Sequence, residues 1–324
     1  MIKYGVIGSG WIAEEFVKGA QTVDGMCFAA MYSRTYEKGK EFAEKFGCDK
    51  VYTDLNEFAE SDIDAVYIAS PNVFHYEQSK LMLEKGKHVL CEKPITITPD
   101  EFTELFSLAK EKKLVYTEAI MIMHSPHKEK VKNALGKIGK ITTAHFDFSQ
   151  LSSKYKALKE GKNPNIFNPE MKTGCLRDLG IYCYYPVVEF FGLPDKISAS
   201  AGFLETGADG YGTAVLDYPD KQVTLTYSKV GQDYCGSQIF GDEGTISIES
   251  ISKLTGVKIH FADGRKEEIQ DEIEKHILMG YEAKNFYDFI TGYEKNYQKY
   301  SEINQKIFEV NKLLFKVKNL CKIP

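Results

Sequence analysis

No stretch of the sequence is long and apolar enough to form a transmembrane helix, which requires about 20 consecutive apolar residues. The first residues also lack the charged leader and apolar core of a secretory signal. We therefore expect no membrane partner and no targeting segment.

Cysteines are few and widely spaced. There are seven, an odd number, with no CxxC pair and no metal-ligand spacing, at positions 27, 48, 91, 175, 183, 235 and 321. Disulfide frameworks and zinc sites use closer or paired spacing, so we expect reduced thiols, no bound metal and a cytoplasmic location.

The chain has no excess of positive charge. Its 41 lysines and arginines are outnumbered by 46 aspartates and glutamates, for a net charge of -5, so we expect no basic face for nucleic acid. The 43% of hydrophobic residues and the interspersed charges of both signs are typical of an ordinary globular protein. At 324 residues the chain is longer than one core usually serves, and two domains of about 100 to 200 residues are expected.

The first third of the chain alternates short apolar runs with helical patterns. The first run stops at a glycine, as a buried parallel strand does. The runs cover 2–7, 26–33, a short segment near Val51, 64–71, 88–94 and 114–119. The helical stretches between them act as crossovers, so this part predicts a Rossmann-type, doubly wound parallel sheet with helices on both faces.

After about residue 120 the pattern changes to longer segments, several of which alternate apolar and polar residues. The strand-like segments cover 140–149, 195–204, 211–219, 222–230, 236–250 and 256–264, and helical stretches lie at 126–135, 178–191, 276–291 and 301–319. Turn clusters join the strands, which indicates an open, mainly antiparallel sheet covered by helices on one face. We therefore divide the chain into a Rossmann domain, 1–120, and an α+β domain, 121–324.

A glycine-rich turn follows the first predicted strand. Gly8, Gly10 and Ala13 have the GxGxxG/A spacing, in which the glycines allow a tight turn and close approach of a pyrophosphate, and the small third residue lets the helix pack closely. The first helical residues, Trp11 and Ile12, lie at the positive end of the helix dipole, where N–H groups face a phosphate. Because the motif lies between a strand and a helix, it predicts a dinucleotide site rather than a purely structural turn.

The end of the second strand indicates which dinucleotide is bound. NAD binding favours an acidic residue there for the adenosine ribose, whereas this sequence has Ser33 and Arg34. A hydroxyl and a guanidinium bind a 2′-phosphate, which a carboxylate would repel. We expect NADP; the alternative, which leaves NAD open, is that Arg34 is a solvated surface charge or stacks on adenine without selecting a phosphate.

Polar residues follow the fourth and fifth predicted strands. Ser70, Asn72 and His75 come after the fourth, and Glu92 and Lys93 come at the end of the fifth. Ligands of open parallel sheets bind outside the carboxyl ends of the strands, so we expect these residues near the cofactor, towards its nicotinamide. From composition alone, Lys93 would be taken for a solvent-facing lysine.

Four segments together resemble the Gfo/Idh/MocA family, which includes glucose-fructose oxidoreductase and inositol dehydrogenase. They read GVIGSGWIA (5–13), DIDAVYIASPNVFH (62–75), GKHVLCEKPIT (86–96) and DLGIYCYYPVVEFFG (178–192). The last segment resembles the branch that contains glucose-fructose oxidoreductase, dimeric dihydrodiol dehydrogenase and xylose dehydrogenases, with tyrosine in DxGxY where inositol dehydrogenases have histidine. The resemblance implies that Lys93 is the lysine of the family's Glu-Lys-Pro catalytic motif and that Tyr182 is the second catalytic residue.

Lys93, Tyr182 and Asp178 can support hydride-transfer chemistry. Oxidation of an alcohol requires loss of the hydroxyl proton as the hydride leaves, so a positioned acid or base is needed. The ammonium of Lys93 would favour the phenolate of a nearby tyrosine, or would itself donate to the substrate oxygen. We expect Lys93 and Tyr182 to converge on the reacting carbon. Asp178 and Tyr182 are four residues apart, which on a helix places them on one face, where Asp178 can orient the substrate or the lysine. The alternative is that Asp178 caps the helix N-terminus and that Tyr182 is a core aromatic residue.

Three further features are candidates for the site. HSPH (124–127) spaces two histidines by three, but no acidic or cysteine partner lies at metal spacing, so no metal is expected. Glu118 ends a strand where the family also has an acid, and we expect it to line the cleft. For His75, a structural role is the alternative to contact with cofactor or substrate.

The chain departs from the branch at two places. Met123 stands near the position of an arginine in relatives, and Lys172 and Thr173 precede Gly174 in a segment that is often glycine-rich. Both departures lie beside the expected substrate space. The resemblance therefore implies hydride transfer without naming one substrate.

The resemblance implies an oxidoreductase that transfers a hydride between nicotinamide and a hydroxyl or carbonyl group of a sugar, polyol or cyclic diol, with substrate bound by the second domain. Alternatives are a non-catalytic dinucleotide-sensing regulator and a glycosidase that uses bound NAD transiently. A biliverdin-reductase-like enzyme shares the first domain, but the DxGxY segment argues against it.

Three predicted strands of the second domain carry apolar residues on both sides: AVLDY (214–218), VTLTY (223–227) and SQIFG (237–241). One face of the sheet would pack on helices, so the other needs a separate cover. We expect a homodimer or a dimer of dimers.

Overall fold

The computed structural model describes all 324 residues and divides the chain into two compact units. The first unit comprises Met1–His124 and Glu274–Gln305, and the second comprises Ser125–Ile273 and Lys306–Pro324. None of the helices combines the length and hydropathy that a bilayer span requires.

The first unit contains a six-stranded parallel sheet in the order β3-β2-β1-β4-β5-β6. Its strands are β1 (Ile2–Ile7), β2 (Met26–Tyr32), β3 (Val51–Tyr52), β4 (Ala65–Ile68), β5 (His88–Glu92) and β6 (Tyr116–Ala119). Its helices up to residue 124 are α1 (Trp11–Ala20), α2 (Tyr36–Lys45), α3 (Leu55–Glu60), α4 (His75–Glu84), α5 (Pro99–Glu111) and α6 (Met121–His124). The predicted doubly wound parallel sheet is confirmed.

The order of the strands reverses between β1 and β4, which makes the carboxyl ends of these neighbours the switch point where ligands of such sheets bind. Local sequence signals set the crossovers that surround it. Thr98 and Glu101 form a capping box at the start of α5, with Pro99 at the first helical position. Asp54 caps α3 by accepting two backbone N–H groups.

The second unit contains an eight-stranded sheet in the order β14-β13-β12-β11-β7-β10-β9-β8. Its strands are β7 (Ile141–Ser149), β8 (Lys196–Phe203), β9 (Asp209–Asp217), β10 (Gln222–Ser228), β11 (Ser237–Gly241), β12 (Gly244–Ser250), β13 (Thr255–Phe261) and β14 (Lys266–Gln270). Its helices up to residue 273 are α7 (His127–Leu135), α8 (Tyr155–Lys159) and α9 (Ile181–Phe191), which a π-helical turn (Leu176–Gly180) precedes. Only β7 and β10 pair in parallel, so the predicted mainly antiparallel sheet is confirmed; β14 was not predicted.

Two helices end the chain: α10 (Lys275–Thr291) and α11 (Tyr293–Leu320). A side chain on Gly19 would place its Cβ 2.6 Å from the nitrogen of Gly280, so α1 and α10 touch through their backbones. The hydroxyl of Tyr300 bonds both the N–H and the carbonyl of Tyr116 on β6, at 3.2 and 3.1 Å. Residues 274–305 therefore pack on the first unit, although they fall within the range predicted for the second domain.

Candidate active site

The turn after β1 has the backbone geometry that a dinucleotide phosphate requires. Gly8 has a φ of +108°, and a Cβ there would lie 2.4 Å from the carbonyl oxygen of Ala69. No other residue fits this conformation and this close approach. A Cβ on Gly10 would meet no atom within 4 Å, so the space in front of Gly10 is open.

The start of α1 carries donors that suit an anion. Gly10 caps the helix without a side-chain hydrogen bond, and helix geometry leaves the N–H groups of Trp11 and Ile12 without an intrahelical acceptor. The helix dipole adds a partial positive charge at the same place. Ala13 is fully buried, which lets α1 pack closely on the sheet. These residues fit a dinucleotide pyrophosphate.

Ser33 and Arg34 lie directly after β2. The Ser33 N–H donates to Tyr52 O at 3.0 Å, and its buried Oγ accepts the N–H of Thr35 at 3.4 Å. Arg34 is exposed. A fixed hydroxyl beside an exposed guanidinium, in a turn without a carboxylate, fits a 2′-phosphate better than two ribose hydroxyls.

His75 links the loops that follow β4 and β5. Its side chain is buried, with Nδ1 2.8 Å from Pro94 O and Nε2 2.8 Å from Ser70 O. Burial lowers its pKa. Both ring nitrogens therefore face backbone carbonyls, which is the contact expected of a structural histidine. Ser70 itself donates through Oγ to Gln78 Oε1 at 2.6 Å, and half-exposed Asn72 starts a short 3-10 turn.

Glu92 and Lys93 lie at the carboxyl end of β5. Glu92 is buried; its Oε1 accepts the hydroxyl hydrogen of Tyr67 at 2.5 Å, and its Oε2 accepts the N–H of Lys93 at 3.3 Å. Burial raises the pKa of Glu92, against the opposing effects of the Tyr67 hydrogen bond and the charges of Lys93 and Lys275. Glu92 thus holds the backbone of Lys93, whose side chain is half-buried.

Glu118 on β6 holds the same loop from the other side. It is 2% exposed, and its Oε1 accepts the N–H of Ile95 at 2.6 Å. Ile95 lies two residues after Lys93, so two buried carboxylates, those of Glu92 and Glu118, fix the backbone around this lysine. The expected position of Glu118 in the lining of a cleft stays a prediction.

Helix α10 contributes residues to this region that were not predicted from the sequence. Lys275 Nζ lies 4.5 Å from the centre of the Trp11 ring, and Glu282 is 1% exposed with no hydrogen-bond partner for Oε2. Burial raises the pKa of Glu282 well above its usual value, and the charge of Glu92 adds to the effect. The burial of Glu282 could have been predicted from the sequence, because Glu282 stands four residues from both Leu278 and Phe286 on the apolar stripe of α10.

Asp178 and Tyr182 lie in and directly after the π-helical turn of the second unit. From 174 to 188 every residue is buried except these two, which are half-exposed and reach the surface of the unit. Asp178 does not cap α9, because Gly180 holds that position and no side chain caps the helix. The Asp178 carboxylate instead accepts a hydrogen bond from the ammonium of Lys229. The Tyr182 ring packs edge-on against Phe148, with the ring centres 5.4 Å apart.

The remaining sequence candidates are engaged by backbone groups. His124 Nε2 lies 2.9 Å from Glu118 O, and His127 Nδ1 lies 3.5 Å from Lys253 O. No three His, Cys, Asp or Glu side chains cluster in a way that would hold a metal. Met123 is 1% exposed.

Two family models match the chain. Residues 2–120 match the oxidoreductase family with an NAD-binding Rossmann fold, and residues 130–247 match the GFO/IDH/MocA C-terminal domain. A solved structure of KijD10, a 3-ketoreductase from Actinomadura kijaniata, superposes with a TM-score of 0.83 at 22% identity over 99% of this chain and 98% of that one. The likeness to KijD10 supports the fold.

Curated relatives agree with the family models. The scyllo-inositol 2-dehydrogenase (NADP(+)) IolU from Bacillus subtilis is 39% identical over 90% of this chain and 88% of its own length. The D-xylose 1-dehydrogenase (NADP(+)) from Hypocrea jecorina is 30% identical over 67% of this chain and 62% of its own length. The chain belongs to the Gfo/Idh/MocA family of oxidoreductases, as its four sequence segments predicted.

Proposed function

We propose that the protein is an NADP-dependent oxidoreductase that transfers a hydride between the cofactor and a hydroxyl or carbonyl group of a sugar, polyol or cyclic diol. The observation that carries the proposal is the open glycine turn at Gly8 and Gly10, with Ser33 and Arg34 at the neighbouring strand end. The two relatives named above, NADP(+) dehydrogenases of a polyol and a sugar, support the same cofactor and substrate class.

The residues assigned to the cofactor all belong to the first unit. Gly8, Gly10, Trp11 and Ile12 hold the pyrophosphate through backbone groups, and Ser33 and Arg34 hold the 2′-phosphate. The part of the cofactor site that holds the nicotinamide is formed or supported by Ser70, Asn72, His75, Glu92 and Lys93. When bound, NADP supplies the hydride acceptor or donor. In this proposal the dinucleotide domain is 1–120, and the substrate site and the dimer contacts lie within 121–324, of which 274–305 pack on the first unit.

The proton chemistry is assigned to Lys93 and Tyr182. In the oxidation direction the Tyr182 phenolate accepts the proton of the reacting hydroxyl, and in the reduction direction the phenol returns it; the Lys93 ammonium stabilises negative charge that develops on the substrate oxygen. Asp178 accepts a hydrogen bond from a substrate hydroxyl, since an ionised carboxylate offers only acceptors. Glu92 and Glu118 keep the Lys93 backbone in place through the bonds described above.

A substrate panel tests the activity. Purified protein is mixed with NADP or NAD and with scyllo-inositol, other inositols, D-xylose, other sugars and cyclic diols, and absorbance of the reduced nicotinamide is followed. We expect turnover with NADP and at least one polyol, sugar or diol. A dinucleotide-sensing regulator would bind NADP without turnover, and a glycosidase would release product without net reduction of the cofactor.

We also propose that a second copy of the chain covers the outer face of the eight-stranded sheet. Alternate residues of the central strands are exposed or half-exposed on this face, among them Thr143, His145, Thr213, Val215, Thr224 and Thr226. Two aromatic side chains at its edge, Tyr211 and Phe203, are 51% and 47% exposed. Light scattering after gel filtration is expected to give a dimer or dimer of dimers; a monomer at micromolar concentration would reject the proposal.

A cytoplasmic location is part of the same proposal. All seven cysteines are free thiols, and Cys91, Cys175 and Cys183 are buried. Such thiols are typical of a reducing compartment. Cell fractionation checks this, and recovery outside the cytoplasm would contradict it.

A further inference from the structure

The second unit contains a buried lysine directly after β10. Val223, Leu225 and Tyr227 are buried, and Lys229 continues the same alternation with a side chain only 4% exposed. Its ammonium donates to Asp178 Oδ2, whereas the Asp178 side chain stays 29% exposed. The cation is therefore enclosed, and the carboxylate that it binds still reaches the surface.

The start of β9 fixes both partners. Asp209 Oδ2 accepts the N–H of Leu176 at 2.6 Å and so holds the first residue of the π-helical turn that carries Asp178. The carbonyl of the next residue, Gly210, accepts the N–H of Lys229 at 2.8 Å. Asp209 and Gly210 are consecutive residues of β9, and they hold the backbones of Leu176 and Lys229. The position of Asp178 relative to Lys229 is therefore set by the backbone as well as by side-chain rotation.

Further backbone contacts hold the same segment. The N–H of Asp178 donates to Gly174 O at 3.2 Å, and a Cβ on Gly174 would come within 2.0 Å of Asp209 Oδ1. On the other side, Lys229 O accepts the N–H of Ser152 at 2.9 Å. The pair is thus built into a part of the unit with little freedom to adjust.

Stability alone is a poor explanation for this pair. The cost of removing two charges from water offsets most of their attraction, and apolar residues of similar size often stabilise as well. A carboxylate in a fixed position, by contrast, discriminates between substrates, because a site built to bind a hydroxyl rejects analogues that lack it.

We propose that Lys229 is a positioning residue, which holds the Asp178 carboxylate in one orientation so that it accepts a hydrogen bond from a substrate hydroxyl adjacent to the reacting one. The inference rests on the proposed function and deepens it, since it names the substrate class: vicinal diols and polyols rather than their deoxy analogues. Lys229 itself touches neither substrate nor cofactor.

Steady-state kinetics on the full chain test the positioning role. The substrates are a polyol that the wild-type protein oxidises and the analogue that lacks the adjacent hydroxyl. The variants are Lys229→Met, Lys229→Arg, Asp178→Asn and the double variant Lys229→Met with Asp178→Asn. The matched control is Lys253→Met, which removes a lysine from a pair with Glu272 at 3.0 Å in the same unit. Circular dichroism and thermal melting check folding, and Lys229→Gln replaces Lys229→Met if the latter does not fold.

We expect Lys229→Met and Asp178→Asn each to raise KM for the polyol about 10- to 100-fold. In Lys229→Met, KM for NADP and activity on the deoxy analogue should stay nearly unchanged. The double variant should be no worse than Asp178→Asn, Lys229→Arg should recover most of the loss, and Lys253→Met should match the wild type.

Equal losses on both substrates, or losses that add in the double variant, would overturn the positioning role, as would wild-type behaviour of Lys229→Met. A wild-type protein that turns over nothing in the panel is a separate outcome, because it overturns the proposed function and this inference with it.

Discussion

His75 Nδ1 lies 2.8 Å from the carbonyl oxygen of Pro94, the residue directly after Lys93. Its other ring nitrogen lies 2.8 Å from Ser70 O, so one buried ring spans the loops after two neighbouring strands. Both loops are assigned to the nicotinamide end of the cofactor. The position of Lys93 then depends on a side chain that is itself shielded from solvent.

Replacement of His75 by glutamine should lower kcat/KM by up to about 100-fold, because a catalytic group displaced by a fraction of an ångström loses alignment with its substrate. The glutamine amide does not reproduce the spacing of the two ring nitrogens, so it does not hold the Ser70 and Pro94 carbonyls at the same separation. Kinetics of His75→Gln and of the control Tyr76→Phe measure this. Tyr76 is the next residue, and its hydroxyl bonds Glu104 on the surface at 2.8 Å. Equal activity of His75→Gln and Tyr76→Phe would argue against the link.

Lys93→Met should reduce kcat by about 10²- to 10⁴-fold, the range for loss of a positioned acid–base or charge-stabilising group. Methionine keeps most of the volume, so binding of NADPH, followed by its fluorescence, should change little. The control is Lys85→Met, which removes a lysine from a surface pair with Glu60 at 2.8 Å. Full activity of Lys93→Met would remove Lys93 from the catalytic assignment.

Arg34→Asp should reverse the cofactor preference. The loss of a charge-assisted hydrogen bond to the 2′-phosphate, together with the new repulsion, should raise KM for NADP at least about tenfold. KM for NAD should stay the same or fall, because a carboxylate accepts from ribose hydroxyls. Lys40→Asp makes the same charge change on α2 and serves as the control. A preference that shifts equally in both variants would mean that general charge, not Arg34, selects the cofactor.

The parallel sheet was predictable because several of its strands are short apolar runs that end at a turn residue, as IKYGVI does before Gly8. The placement of α10 was not, because it depends on the contact of Gly19 with Gly280, residues far apart in the chain whose pairing no local pattern reveals. The helical spacing in 276–291 predicted the helix but not the unit on which it packs.

Asp178 and Tyr182 were predicted as site residues from the family resemblance. The predicted helix over 178–191 is regular only from Ile181, because a π-helical turn precedes it. The π-helical turn Leu176–Gly180 depends on the Asp209 carboxylate that binds Leu176, a contact from a distant strand. The burial of Lys229, in contrast, could have been predicted from the sequence. Lys229 continues the alternation of buried residues that Leu225 and Tyr227 form in β10.

His88 should make the protein less stable in mild acid. Burial lowers its pKa to about 4 from 6.5, and its Nδ1 accepts the N–H of Val115 at 2.9 Å. The unfolded chain therefore binds the proton more readily, so this contribution is fully present above pH 6.5 and is lost as the pH falls towards about 4. Urea unfolding at several pH values should show a shallower fall for His88→Asn, whose amide oxygen can still accept from Val115. An unchanged slope would contradict the assignment.

Glu282→Gln should stabilise the protein at neutral and alkaline pH. Burial raises the pKa of Glu282 well above 4.5, so the folded state holds the proton more tightly and the stabilisation from Glu282 is lost as the pH rises from 4.5 through the folded pKa. Glutamine has the same shape and no charge. The urea midpoint of Glu282→Gln should therefore exceed that of the wild type at pH 8, and the difference should close below pH 4.5. Glu302→Gln, which removes an exposed carboxylate from α11, is the control and should change neither midpoint much. A less stable Glu282→Gln at pH 8 would mean that the negative charge of Glu282 stabilises the folded protein, and Lys275 would be the cation to test as its partner.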